Sequence, residues 1–199
     1  LVRSTVTPGT TQKLQMKYID LNLLFNPEYL TERNAKFDFI NQSRFIIGSG
    51  EATISKMYSE NLADLFRDRF GESTSILETN YETAEMIKLI DNSSRDLFFA
   101  YANEVAKACD AVGISVTEVI NSGKSGYART RVAKPGLVGG ACLHKDPHIY
   151  SQSLNKYGVS AKITLMGRKI NENQPVEIAN FIYNLTKKIK NFPRKPKIS

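Results

Sequence analysis

The sequence has few cysteines, no tryptophan and no long apolar run. Two cysteines, Cys109 and Cys142, among 199 residues exclude the disulfide framework of a small secreted protein. We therefore expect a reducing compartment, the cytoplasm. No apolar stretch approaches the roughly 18 residues that a membrane-spanning helix needs, so we expect no membrane partner. With 41% hydrophobic residues, the chain can bury a sizeable core and is expected to be globular.

Negative charge is the scarcer sign in this chain. Lys and Arg number 27 against 20 Asp and Glu, a formal net charge of +7. This excess favours anionic partners such as nucleotides, nucleotide-sugars or nucleic acid. Part of it lies in the final stretch KKIKNFPRKPKIS, which is more simply a solvated tail or linker. Interleaved aromatics and a recognition motif are lacking, so we expect no nucleic-acid partner.

Two different patterns divide the chain. From Leu1 to about Leu77, β-type runs alternate with helical stretches, which predicts an α/β layer with a mainly parallel sheet. The β-type runs are LVRSTV, LNLLFN, SRFIIG and TSIL. From Asn80 the chain then continues without Pro or Gly until Gly113, which predicts one very long helix with a glycine at its end. The middle of this helix, LFFAYA, is apolar on nearly every side. We expect it to be buried all round, and a partner helix could supply the neighbours.

The remainder is predicted to be mostly helical. It contains a short helix in SVTEVINSG, a Gly- and Pro-rich connection KSGYARTRVAKPGLVGG, a helix after Asp146 and a last helical region from about Ser160 to Lys190.

Polar residues recur along one face of the long helix. Lys88, Asn92 and Arg95 are spaced i, i+4 and i+7 and therefore share a face. Such a stripe is either solvated or points into a cleft, where an ammonium and an amide can stabilise a developing oxyanion. Spacing alone leaves both interpretations open. Glu28, after the X-Pro at the end of LNLLFN, is likewise either a ligand-binding carboxylate or an ordinary surface residue.

The stretch GGACLHKDP, residues 139 to 147, places Cys142 among glycines and charged residues. The glycines allow a ligand to approach the backbone, and Lys145 and a protonated His144 would favour a thiolate, so Cys142 could be a nucleophile. It could equally be a buried apolar thiol, which is what we expect of Cys109 in AKACDAVG. A metal site formed by His144, Asp146 and His148 lacks a second cysteine, and we expect no metal.

Six stretches, in chain order, resemble motifs of the UDP-glucose/GDP-mannose dehydrogenase family. RSTVTPGTT resembles STVPxGTT, NPEYLTE resembles PEFLRE, and SRFIIG resembles DRIVIG. AEMIKLIDNSSRD is similar to AExxKLxENxxRD, GGACLHKDP to GGxCLPKDP, and RKINENQP to RxINDxMP. The members of this family are NAD-dependent enzymes that oxidise the primary alcohol of a nucleotide-sugar to a carboxylate.

The resemblance implies an α+β, mostly α fold in three parts. Residues 1–78 would be the C-terminal part of a Rossmann-like NAD-binding domain. Residues 79–175 would be an all-helical central domain with one very long helix and the catalytic cysteine. Residues 176–199 would be a helix and basic linker toward a UDP-binding domain. The family's GxGxxG fingerprint is not found in the sequence, so the chain is interpreted as a fragment. We expect no turnover with NAD from this chain alone.

The resemblance also implies roles for individual residues. Cys142 would capture the aldehyde formed by the first oxidation as a thiohemiacetal, which a second hydride transfer would convert to a thioester for hydrolysis. Lys88 and Asn92 would stabilise the oxyanions of these intermediates, and Asp146 would orient or activate water. The remaining catalytic residues, which would position water and assist proton transfer, are Thr5 and Glu28.

Binding residues follow from the same resemblance. The residues expected at NAD are Thr5, Glu28 and Lys145. The substrate, a nucleotide-sugar that we expect to be UDP-linked, would contact Glu28, Tyr29, Leu30, Lys88, Asn92, Arg129, Arg131, Val132, Ala133, Lys134, Pro135 and Gly139. Either Arg129, the preferred choice, or Arg131 would reach the partner subunit's substrate in a homodimer formed through the long helix.

Two departures bear on the substrate: His144 replaces the usual Pro, and Ala141 stands where many members with N-acetylated substrates have His. A hypothesis of another class is that the isolated chain is a non-catalytic dimerisation module.

Overall fold

The computed structural model describes residues 1–42 and 44–193 and divides them between two units. The first unit comprises Leu1–Ser93 and Asp146–Ser160, and the second comprises Ser94–Lys145 and Ala161–Ser199. The end of the predicted basic linker, residues 194–199, lies outside the described residues.

The helices and strands, in chain order, are α1 (Thr10–Lys17), α2 (Ala35–Ile40), β1 (Arg44–Ser49), α3 (Thr53–Phe70), β2 (Ser75–Asn80), α4 (Tyr81–Val112), α5 (Val116–Lys124), α6 (Ala141–Asn155) and α7 (Lys162–Thr186). A short 3-10 turn at Glu32–Asn34 precedes α2.

The first unit is built on a parallel pair of strands. β1 and β2 pair from Arg44 with Ser75 to Ser49 with Asn80, and α3 makes the crossover that a parallel pair requires. Most of β1 is a buried run, typical of a strand covered on both faces. The predicted strands SRFIIG and TSIL are thereby confirmed, apart from residue 43, which lies outside the described residues.

The other two β-type runs do not become full strands. LVRSTV and LNLLFN form isolated bridges only, Val2 with Phe25 and Phe25 with Gly48. The expectation of four strands was therefore wrong for these two runs. Pro27 ends the second run because a proline has no N–H to donate to a neighbouring strand.

Apolar side chains cover both faces of β1. Ile46 packs with Phe25, Tyr81 and Ala84 in one cluster, whereas its neighbour Ile47 packs with Leu24 and Ala63 in another. Successive side chains of a strand point to opposite faces, so adjacent isoleucines serve different clusters. This arrangement confirms the expected Rossmann-like layer.

The long helix α4 has 32 residues and ends where predicted, at Gly113, whose φ is +74°. A positive φ suits glycine, which has no Cβ to clash. The middle of α4 differs from its prediction, because Phe98 and Tyr101 remain 41% and 55% exposed in this chain while Ala100 and Ala102 are buried. Positions 98 and 101 are neighbours on the helix surface and form one exposed aromatic stripe.

The described secondary-structure elements of the second unit are all helices. Ser115 caps α5 by accepting a hydrogen bond from the backbone N–H of Glu118. One boundary was wrong: α6 begins at Ala141 rather than after Asp146, so Cys142 lies in its first turn. No helix in the described part of the chain is long and apolar enough to cross a membrane.

Candidate functional site

Lys88 in the first unit is buried and held on two sides. Its side chain is 7% exposed, and its Nζ donates a hydrogen bond to the backbone oxygen of Glu28 at 2.5 Å. The same ammonium lies 4.5 Å from the centroid of the Tyr29 ring, a distance at which a cation is attracted to an aromatic face. The solvated stripe is therefore wrong for Lys88.

Two cations lie close to the ring of Tyr29. Arg44 is 4.5 Å from its ring centroid, the same separation as Lys88, and Arg44 also pairs with Asp91 at 2.6 Å. Burial, with a smaller contribution from the charge of Asp91, raises the pKa of the Tyr29 hydroxyl well above its usual range. The phenol is neutral at physiological pH even at the ordinary tyrosine pKa of about 10, and its ring lies beside the Lys88 ammonium.

Asn92 and Asp146 form a buried pair. The Asn92 amide donates to the Asp146 carboxylate at 2.5 Å, and both side chains are almost completely buried. The two residues are 54 positions apart in sequence, so the fold brings them together. Arg95, the third residue of the predicted stripe, is exposed instead. The first unit thus places Lys88 and Asn92, one helical turn apart, in buried surroundings.

Glu28 and Thr5 are more accessible. The Glu28 carboxylate is half exposed and pairs with Arg3 at 2.9 Å. Arg3 also donates to the Asn26 side chain at 3.0 Å. Thr5 and Leu30 are partly buried. Glu28 therefore contributes two separate groups, a backbone oxygen bound to Lys88 and a carboxylate bound to Arg3.

Glu85 was missed by the sequence-based reasoning. Its carboxylate is completely buried and accepts hydrogen bonds from the Gly9 N–H at 2.6 Å and from the Thr11 N–H and hydroxyl, both at 2.7 Å. These donors belong to the first turn of α1, where N–H groups lack helical partners. Glu85 therefore neutralises the start of α1, a place where an anionic ligand could otherwise bind.

The first unit fits a dinucleotide only in part. The Thr5 hydroxyl and Glu28 carboxylate can bond to hydroxyl or carboxamide groups. From the last two residues of β1 to the first residue of α3 the sequence reads GSGEAT, with Thr53 in place of the fingerprint's third glycine. Moreover, a Cβ at Gly48 would lie 2.9 Å from the Cβ of Ala84, so this glycine serves helix packing. Residues 1–42 and 44–93 thus supply polar contacts but no complete glycine cradle for a pyrophosphate.

Cys142 in the second unit is exposed, at the second position of α6, whereas Cys109 is buried as expected. Gly140 precedes the helix with a φ of +92°, a conformation that favours glycine. The backbone N–H of His144 donates to the Gly140 oxygen at 3.2 Å. The thiol is therefore accessible at a helix start, where N–H groups stabilise negative charge.

The predicted substrate loop is mixed in burial. Ala133 is buried, and Val132 and Pro135 are partly buried. Four predicted substrate contacts are exposed, namely Arg129, Arg131, Lys134 and Gly139. Lys145, the predicted NAD contact, is also exposed. Because Arg129 and Arg131 are both exposed, their burial does not indicate which of them would reach the partner subunit's substrate.

A second group of residues that the sequence-based reasoning missed forms a buried polar network. Arg168 and Asp96 are each 1% exposed and pair at 2.6 Å. Asn171 donates to the Asp96 side chain at 3.0 Å, and Asn103 donates to Asn171 at 2.9 Å. The only signal available was that Asp96, Arg168 and Asn171 fall inside the quoted motifs. Among the described residues, no group of three or more His, Cys, Asp or Glu side chains could hold a metal ion.

Comparisons with known proteins agree with the resemblance seen in the sequence. The NAD binding domain of the UDP-glucose/GDP-mannose dehydrogenase family matches residues 1–68, and the central domain of the same family matches residues 82–173. NAD is therefore confirmed as the cofactor of the family's matched N-terminal domain.

Individual relatives are similar over most of the chain. A UDP-N-acetyl-D-mannosamine dehydrogenase of Methanococcus maripaludis is 32% identical over 100% of this chain and 44% of its own length. A UDP-glucose 6-dehydrogenase of Rickettsia prowazekii is 27% identical over 88% of this chain and 41% of its own length. The solved structure of a UDP-D-ManNAc dehydrogenase from Pyrococcus horikoshii matches with a TM-score of 0.78 and 30% identity, covering 94% of this chain and 44% of that one. The chain thus spans less than half the length of these relatives.

Proposed function

Because the chain belongs to the UDP-glucose/GDP-mannose dehydrogenase family, we propose that the protein containing it oxidises the C6 alcohol of a UDP-linked sugar to a carboxylate. The observation that carries this proposal is the buried group on one face of α4. An ammonium, Lys88, and an amide, Asn92, lie one turn apart, and the Asp146 carboxylate is bound to that amide. Fixed donors of this kind stabilise a developing oxyanion.

Cys142 acts as the nucleophile in this proposal. Its sulfur adds to the aldehyde carbon of the half-oxidised sugar, a proton is transferred from the thiol to the former carbonyl oxygen, and a thiohemiacetal forms. Loss of a hydride from that carbon and of the proton from its hydroxyl gives a thioester. Water then breaks the carbon–sulfur bond, releasing the carboxylate and the free thiol. Exposure of the Cys142 thiol at the start of α6 supports this role.

The other residues have separate tasks. Lys88 and Asn92 donate hydrogen bonds to the oxygen on C6, and Asp146, four residues after Cys142 on α6, orients the water. NAD would supply the hydride acceptor, and the two hydrides removed from C6 would require two NAD molecules bound one after the other. The residues that would hold it are Thr5, Glu28 and Lys145. The nucleotide-sugar would be bound by the backbone at Glu28, Tyr29 and Leu30 and by the loop Arg131–Pro135 with Gly139.

The substrate class is narrowed by the relatives. The M. maripaludis and P. horikoshii proteins are named for UDP-N-acetyl-D-mannosamine, and the R. prowazekii protein for UDP-glucose. We take a UDP-sugar as the substrate, with these two as the candidates. Ala141 and His144, which differ from the family's usual residues, lie beside Cys142 and are the positions expected to influence the choice.

The test is an NADH assay of the intact protein with UDP-N-acetyl-D-mannosamine, UDP-glucose and GDP-mannose. We expect two NADH for each UDP-sugar consumed. Cys142→Ala should release no more than one, because the aldehyde can no longer be captured. Cys109→Ala is the matched control and should keep the full yield, since that thiol is buried elsewhere in the second unit. A full yield from Cys142→Ala would rule out the covalent mechanism.

The isolated chain is expected to yield no NADH, because it has no complete glycine fingerprint for the pyrophosphate. NADH formation by this chain alone, with any of the three sugars, would refute that expectation.

The protein is also expected to form a homodimer through α4. Phe98 and Tyr101, which are neighbours on the surface of this helix and exposed in this chain, support this arrangement. Either Arg129 or Arg131, both exposed, would then reach the partner's substrate. A monomer at micromolar concentration in sedimentation would contradict this arrangement.

A further inference from the structure

A proline inside α6 leaves one backbone carbonyl without its helical donor. In an α-helix the carbonyl of residue 143 accepts from the N–H of residue 147. Residue 147 is Pro, which has no N–H, and it lies inside the helix. The freed carbonyl belongs to Leu143, which directly follows Cys142 in sequence. A carbonyl that loses its helical partner needs another donor if it is to remain shielded from water.

Arg168 on α7 supplies that donor. Its Nη1 donates to the Leu143 oxygen at 2.9 Å, and its Nη2 lies 3.4 Å from the oxygen of Val138. One guanidinium therefore contacts the backbone on both sides of Cys142. The planar, forked guanidinium can reach two acceptors at once, which a lysine ammonium at the same place could not do with the same geometry.

The guanidinium is itself fixed by its surroundings. Asp96 accepts from Arg168 at 2.6 Å, and Asn171 donates both to the Asp96 backbone oxygen at 2.8 Å and to its side chain at 3.0 Å. Both charged side chains are nearly inaccessible to solvent. Little freedom is left for Arg168 to move without breaking several buried hydrogen bonds.

Gly136, before Cys142 in sequence, is hydrogen-bonded to a different side chain, Asn103. The Asn103 amide donates to the Gly136 oxygen at 3.0 Å, and its oxygen accepts from the Gly136 N–H at 2.7 Å. Gly139 and Gly140 lie between Val138 and Leu143, the two residues whose oxygens Arg168 contacts. By themselves these glycines would leave the backbone free to sample many conformations. The segment from Gly136 to Leu143, here called the cysteine loop, is thus held at three points.

We propose that Arg168 is a positioning residue that holds the cysteine loop, and with it Cys142, in the conformation used for nucleophilic attack. This inference rests on the proposed function for its catalytic consequence. Arg168 does not touch the substrate in this proposal. It acts by occupying the Leu143 carbonyl that Pro147 leaves free and by contacting the Val138 carbonyl at the other side of the thiol.

The test compares Arg168→Met with the wild-type intact protein. Removing the guanidinium should speed amide hydrogen exchange of His144 by about tenfold or more. The N–H of His144 closes the first turn of α6 by donating to the Gly140 oxygen. The kcat should fall by roughly 10- to 100-fold with KM within about threefold, because misplacing a reacting group by about 1 Å costs on that order. Lys107→Met, which removes an exposed ion pair of the same unit, is the matched control and should change neither.

A second substitution makes the test specific to the freed carbonyl. In Pro147→Ala the new N–H can bond to Leu143, so adding Arg168→Met should then reduce kcat by a smaller factor than in the Pro147 protein. A merely structural role of Arg168 predicts the same factor in both backgrounds. If Arg168→Met does not fold, Arg168→Lys, which keeps a charge beside Asp96, replaces it with the same readouts.

The outcomes separate the two proposals. Unchanged His144 exchange, an equal rise across all of the second unit, or an equal loss of kcat with and without Pro147 would each overturn the positioning role. Full turnover by Cys142→Ala would instead overturn the covalent mechanism, and the exchange measurement would still report whether Arg168 holds the loop.

Discussion

The interiors of the two units are stabilised by different kinds of contact. In the first unit, apolar side chains such as Ile46, Ile47 and Phe25 pack around a buried strand. In the second, the largest fully buried side chain is Arg168, paired with Asp96 and supported by two asparagines. An apolar core depends mainly on volume, whereas a buried polar network depends on every partner being present. The second unit should therefore be more sensitive to single changes of chemistry.

This difference concerns function as well as stability. Burying an ion pair is costly, and apolar residues of similar size often stabilise a fold equally well or better. A buried pair is therefore weak support for stability as its purpose. In the second unit the pair contacts the backbone around Cys142, which accounts for its position in terms of the loop it holds.

The largest loss of stability is expected when Asp96, the acidic residue of the buried network, is replaced. Asp96→Ala removes the buried carboxylate of the Arg168 guanidinium and leaves it only the partly exposed Glu172 carboxylate, 3.3 Å from its Nε. Removing one partner of a buried pair costs about 3–5 kcal/mol. We expect a loss of this size in the free energy of unfolding, measured by urea titration of the intact protein. A loss below about 1 kcal/mol, the range of exposed pairs, would show that the second unit does not depend on the pair.

Replacing Asp96 and Arg168 together separates the effect of their ion pair on stability from its effect on kcat. Asp96→Leu with Arg168→Met removes both charges together, and its loss of stability should be smaller than the sum of the two single losses by about 0.5–3 kcal/mol. Stability should recover while kcat does not, because the Leu143 carbonyl still lacks its donor. Recovery of kcat in the double variant would contradict the positioning role.

An intermediate effect is expected in the first unit. Gly48→Ala places a Cβ 2.9 Å from the Cβ of Ala84 and 3.2 Å from the backbone oxygen of Asn80, neither of which can move freely. Overpacking of this kind costs about 1–3 kcal/mol. Gly50→Ala is the matched control, since its nearest neighbour would be the Ser55 hydroxyl oxygen at 3.4 Å. Equal urea midpoints for the two variants would argue against a tight strand-to-helix contact.

The smallest effect is expected at the surface of the second unit. Lys107 pairs with Glu177 at 2.6 Å, and this hydrogen bond holds the pKa of the Glu177 carboxyl below its usual range. The lysine side chain is 61% exposed, so Lys107→Met should cost less than about 1 kcal/mol.

The pH dependence of this pair has a definite sign. A lowered folded pKa stabilises the fold above the unfolded value of about 4.3, and this contribution disappears as the pH falls through the lowered folded pKa. The difference in urea midpoint between Lys107→Met and wild type should therefore be present at neutral pH and absent in acid. A difference that persists in acid would point to packing rather than charge.

The sequence predicted those features that depend on periodicity and on glycine or proline. The long helix to Gly113, the strand β1 and the burial of Cys109 follow from such local signals. The start of α6 was missed because two glycines precede it and Pro147 lies within it, both of which argue against a helix. Arg168 and its freed carbonyl could therefore not be connected before the helix was known.

The buried polar residues were beyond the reach of pattern-based reasoning for another reason. Glu85, Asp96 and Arg168 are charged, and charged residues are mostly found at the surface unless they are paired. Their partners lie at sequence separations of 72 to 76 residues, so no local spacing indicates them. Lys88 and Asn92 were predicted only because the family resemblance assigned roles to their motif.

The carboxylate that caps α1 also has a consequence for the order of folding. An isolated helix of eight residues such as α1 is marginal in water. Its first turn bonds to Glu85, which is 74 to 76 positions away, and contacts so distant form only after a large loop has closed. We therefore expect α1 to be among the last helices of the first unit to form, gaining its protection from hydrogen exchange only when α4 has docked.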